Sequence, residues 1–71
     1  MKLYVWEGAF TDYTSGIAVA LANTADEARE AIVKEYNDVN EKYVREELAV
    51  RPDVYRMDRK KPVAFTVSGG G

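Results

Sequence analysis

The chain has 71 residues, with no histidine and no cysteine, and its 12 acidic and 10 basic residues give a net charge of −2. These absences exclude a disulfide framework, a Cys/His zinc site and any active centre built on an imidazole or a thiol. The hydrophobic share of 46% and charged share of 31% fit an ordinary globular chain, and at this length they support one small α+β domain over residues 1–71.

In chain order, Lys2, Tyr4 and Trp6 alternate with Leu3 and Val5, a period-2 pattern that predicts a strand over 2–6. Gly8 and Gly16 bound a polar loop. Ile17 to Ala22 is a six-residue apolar run of strand length, and a hairpin with the first strand is the simplest pairing. Thr24 followed by Glu27 is a capping box, and Ala28, Ala31, Ile32 and Tyr36 recur on one helical face, so a helix is expected over 25–36. Asp38 with Glu41 repeats the cap pattern, and Val39, Tyr43 and Leu48 predict a second helix over 39–49, or one long kinked helix. Pro52 ends helical structure. Val54–Met57 reads as a short strand, 58–61 as a turn, and Val63–Val67 as a last strand with alternating Val63, Phe65 and Val67. The expected fold is a four-stranded antiparallel sheet, β-β-α-(α)-β-β, with one or two helices on one face.

Three segments are candidate sites. In the loop from Trp6 to Gly16, Trp6, Phe10 and Tyr13 can anchor a partner, while Thr11, Asp12 and Thr14 offer hydrogen bonds. The same aromatics can instead fold back onto the core. Residues 24–50 hold eight acidic residues, among them Glu30, Asp38 and Glu41, against four basic ones, a net −4. A row of carboxylates can imitate a phosphate backbone, but the interspersed bases cancel much of that field, and a solvated helix face is the plainer reading. Residues 51–61 carry five basic residues against two acidic ones, a net +3. There Tyr55, Arg56 and Arg59 can hold a nucleotide by stacking and charge, or the charges can simply guard a sheet edge. Gly69–Gly71 is expected to be a frayed tail, or one lying along a partner's surface, rather than a phosphate loop, which needs a following helix and lysine.

No serine–lysine pair, carboxylate dyad or EF-hand pattern stands out, and the motifs imply no cofactor, no metal and no enzyme. A sheet with two free edges can form a homodimer. The net acidity argues against direct nucleic-acid or anionic-membrane binding. No apolar run has the length of a membrane span, and Met1–Glu7 is too interrupted for a signal peptide, which together with the lack of cysteine gives a cytoplasmic expectation.

Leu3-Tyr4-Val5-Trp6, Thr11-Asp12-Tyr13-Thr14 with Gly16, Pro62-Val63-Ala64-Phe65, Val67 and Gly69-Gly70-Gly71 resemble the ends of a group of short, uncharacterised bacteriophage and prophage proteins. The resemblance implies a protein of the bacterial host as partner. It implies an anti-defence inhibitor, anti-CRISPR-like, that acts by binding and steric block in the host cytoplasm. A scavenger of a signalling nucleotide and a small virion protein are the other roles it implies.

Overall fold

Three strands and two helices make up the computed structural model, which describes residues 1–11, 16–37 and 40–67. They are β1 (Lys2–Glu7), β2 (Ile17–Ala22), α1 (Ala25–Tyr36), α2 (Glu41–Glu47) and β3 (Asp53–Arg56). The sheet order is β2-β1-β3, and both pairings are antiparallel. Tyr4 lies opposite Ala20 on one side and Val54 on the other, so β1 is the central strand.

The two sheet faces divide by alternation. Tyr4, Trp6, Ala18 and Ala22 are buried together with Ala28 and Ile32 of α1 and with Val44 and Leu48 at α2. The alanines of β2 present small side chains to α1, and Ala28 and Ile32 of the helix pack with them in this core. Trp6 is 2% exposed and supplies the largest buried side chain. Its indole N–H donates to the Val50 carbonyl at 2.9 Å, which answers the one polar group that burial would otherwise strand.

Local chemistry sets the helix limits. The Thr24 hydroxyl accepts from the Glu27 N–H at 3.1 Å, as the capping box requires. Asn37 ends α1 in the left-handed region (φ 51°), with its N–H returning to the Val33 carbonyl. Asn40 caps α2, its side-chain oxygen accepting from the Tyr43 N–H at 3.2 Å. The second helix is therefore separate from the first and shorter than the expected 39–49. The expected cap, Asp38, lies outside the described residues. Ala31, expected on the buried face of α1, is exposed.

The expected fourth strand, Val63–Val67, is not a strand. Val5 is only 1% exposed, yet it belongs to the sheet face turned away from the helices and lies outside the helix-side core. The Phe65 ring meets Tyr55 edge-on at 5.2 Å, and Tyr55 is paired with Leu3. Thr66 and Val67 then line a cleft with Glu7 and Ile17. The segment therefore lies on the same side of the sheet as Leu3 and Glu7. Phe65, the half-buried residue of the segment, packs its ring on Tyr55 rather than entering a ladder, while Val63 and Val67 stay exposed.

Candidate functional site

The loop after β1 is built by two unusual backbone positions and one carboxylate. Gly8 turns the chain at φ +79°, and its N–H donates to the Gly16 carbonyl at 3.1 Å. Phe10 follows at φ 59°, a conformation that costs a bulky residue about 1–3 kcal/mol. What holds it is Glu47, whose carboxylate accepts the Phe10 N–H at 2.8 Å. The Phe10 ring stacks at 4.6 Å from Tyr36 at the end of α1 and at 6.0 Å from Tyr43 in α2. Tyr36 remains 42% exposed, and Phe10 and Tyr43 are half-buried. The outcome is a small aromatic platform in which loop and both helices meet, bordered by the Glu47 carboxylate.

Gly16 closes the loop. A Cβ at this position would stand 2.0 Å from the Ala9 carbonyl oxygen and 2.6 Å from that of Phe10. The loop's two ends are thus pressed together, and only glycine fits.

Of the expected contact residues, Phe10, which with Tyr43 also packs against the core as the alternative reading of the loop aromatics expects, sits in this platform. Trp6 does not, since it is a core residue beneath the helices. Asp12 and Tyr13 lie outside the described residues, as does Asp38. Glu30 and Glu41 come together elsewhere, around Arg45: its Nη1 and Nη2 donate to the two Glu30 oxygens and its Nε donates to Glu41 at 3.0 Å. The Arg45 hydrogen bonds hold the Glu30 carboxyl below its usual range, and those same bonds, from Glu30 first and Glu41 second, raise the Arg45 guanidinium. This triad fastens α1 to α2 beside a cleft lined by Val33, Asn37 and Val44. Asp26 is likewise paired with Arg29 at 3.1 Å, and Lys42 with Glu46 at 4.0 Å. Among the described residues, Asp26, Glu30, Glu41 and Glu46 are paired with bases, which weakens any imitation of a nucleic-acid backbone.

The basic turn is divided. Strand alternation puts Arg56 on the helix side, opposite Lys2, and Tyr55 on the back, opposite Leu3. Arg56 is bound in a two-toothed pair to Asp58 (3.0 and 2.9 Å). Arg59 lies 5.5 Å over the Tyr55 ring, whose edge-on neighbour is Phe65. Tyr55 and Arg59 are together, but Arg56 is turned away from them. Tyr36, Tyr43 and Glu47 are partners of Phe10 that the sequence pattern does not mark as site residues. Their spacing from Phe10 is set by the loop's backbone, which periodicity does not encode.

Among the described residues no group of three or more carboxylates is placed to hold a metal ion, and no helix is long and apolar enough to cross a membrane. No protein-family model, curated protein or solved structure matches the chain.

Proposed function

We propose that this protein is a non-catalytic interaction module of phage type, which inhibits a component of bacterial defence by docking on it and blocking it sterically. The observation that carries the docking part is the Phe10–Tyr36–Tyr43 platform. A bulky residue kept at positive φ by a carboxylate 37 positions away is strain retained in a loop, and strain of this kind concentrates where a surface has a task. Aromatic side chains on a fixed backbone present a large contact area at small entropic cost, which is the composition of binding hot spots. The lack of histidine and cysteine supports binding rather than turnover. The resemblance to phage proteins supplies the class of partner and the bacterial cytoplasm as its place.

The test is made in bacteria that carry a defence system. Expression of the chain is expected to restore plating of a phage that the system restricts. The Tyr36→Ala variant, altered at an exposed position, is expected to fold and fail to restore it. Full restriction in the presence of the folded wild-type chain, across a panel of defence systems, would refute the reading. Sequestration of a signalling nucleotide is less favoured, because Tyr55, Arg56 and Arg59 do not converge on one face.

A further inference from the structure

The two outer strands of the sheet are guarded unequally. β3 is four residues long, is preceded by the buried Pro52 and carries Asp53 and Arg56. Short length, proline and charge are the usual means of protecting an edge from pairing with another chain. β2 has none of them. It is six residues of Ile17-Ala18-Val19-Ala20-Leu21-Ala22, without charge, proline or glycine. No other strand lies beyond it among the described residues. Val19 is 44% exposed and Leu21 52% exposed.

The phase of its ladder is fixed. Glu7 lies opposite Ile17, and the next residues along, Gly8 and Gly16, are joined by the Gly8 N–H to Gly16 carbonyl bond. In an antiparallel pair, hydrogen-bonded and non-hydrogen-bonded positions alternate. Ala18, Ala20 and Ala22 therefore spend their amides on β1, and Ile17, Val19 and Leu21 direct theirs away from it, along the open edge.

We infer that β2 pairs with β2 of a second copy of this chain, antiparallel, about a two-fold axis at Val19. Val19 then faces Val19 of the second copy, and Ile17 faces Leu21 in both directions. This register uses all three outward amides of each strand and joins two three-stranded sheets into one of six strands. A second copy fits better than a foreign strand, because three outward positions spaced symmetrically about Val19 are complementary to themselves under a two-fold. No charge on the strand opposes its own image. The ladder is short, and its area falls at the low end for specific contacts, below about 1,200 Å². The dimer accordingly forms and dissociates with concentration. It uses a surface other than the aromatic platform, so it stands or falls independently of the proposed partner.

Cysteine substitution reads the register directly, since the natural chain has no cysteine. In the inferred register the two Val19 Cα atoms stand about 5.5 Å apart, within disulfide range. Under mild oxidation of the full chain, Val19→Cys is expected to cross-link to twice the 8.0 kDa chain mass, while Ala20→Cys and Leu21→Cys remain predominantly monomeric. In sedimentation, the wild-type mass is expected to rise toward the dimer with concentration. Val19→Lys is expected to weaken association at least about tenfold, and Val54→Lys, on the guarded edge, is expected to leave it unchanged. Should the lysine variant fail to fold, amide exchange of the wild type decides: the Val19 N–H is protected at high concentration and exchanges on dilution. A wild type that stays monomeric at every concentration overturns the inference. So does a dimer indifferent to Val19→Lys, preferential cross-linking at Ala20, or a Val19 amide protected in the monomer.

Discussion

The Phe10 N–H and the Glu47 carboxylate are 2.8 Å apart across 37 residues of sequence. The bond ties the first loop to the end of α2. It also explains how phenylalanine occupies a backbone region that ordinarily belongs to glycine or asparagine. A hydrogen bond to a charged acceptor contributes about 1.5–3 kcal/mol when it is shielded from water, and this one is part-buried, enough to offset the strain of one residue.

Glu47→Ala should therefore cost about 1–2 kcal/mol of unfolding free energy in urea. Glu47→Gln keeps an acceptor and should cost less than half as much. Equal losses in the two variants would mean that the carboxylate's charge, rather than its accepting oxygen, holds the loop.

The loop glycines should respond very differently to the same change. At Gly8 an added Cβ meets nothing within 4 Å, and only the φ of +79° opposes it. Gly8→Ala should cost about 1–2 kcal/mol. At Gly16 the Cβ would collide with two backbone carbonyls. Gly16→Ala should cost more than about 3 kcal/mol, or shift the loop so that the Phe10 amide loses its protection from exchange. Melting curves for the pair, with exchange at Phe10, decide the matter.

Trp6 and Arg29 form a second unit. Arg29 Nε donates to the Leu48 carbonyl at 2.9 Å, and its guanidinium lies 5.6 Å from the centre of the Trp6 ring. It therefore closes the C-terminal end of α2 and roofs the indole at once. Trp6→Leu loses the bond to Val50, the ring face under Arg29 and volume, and should cost more than about 2–3 kcal/mol. Arg29→Met should cost about 1–2 kcal/mol. The two losses should not add, because the double variant removes their contact only once. Strict additivity in a double-mutant cycle would show that the stacking contributes nothing.

Acid should separate the Glu30–Arg45 contact from the rest of the fold. The folded Glu30 carboxyl lies below its ordinary 4.5 because Arg45 donates to it. Its contribution is complete above the unfolded value and is lost as pH falls through the lower folded value. Glu30→Gln should thus melt below the wild type at neutral pH and level with it in strong acid, and added salt should shrink the gap. A gap that persists in strong acid would contradict the assignment.

Much of the framework was legible from local rules. Both edges of α1 follow from Thr24, Glu27 and the apolar spacing, and β1 and β2 follow from alternation and run length. The Val63–Val67 segment was not legible, because Val63, Phe65 and Val67 alternate as a strand would, and only the ring contact of Phe65 with Tyr55, which alternation does not encode, shows where it lies. Val44, which is fully buried, lies four positions before Leu48 and shares its face, whereas the expected face ran through Val39 and Tyr43. At the site, Phe10 was named for its type, but its partners Tyr36, Tyr43 and Glu47 depend on a left-handed backbone step that no periodicity carries.

The most direct measurement is site-specific photo-cross-linking in defended cells during infection. A photoreactive phenylalanine analogue is placed at position 36, on the platform, and in a second strain at position 54, on the guarded edge. The account predicts one dominant adduct from position 36 with a single host defence protein, absent from position 54 and lost when Glu47→Ala is added. An adduct from position 54 and none from 36, or the same adduct from both, would contradict it.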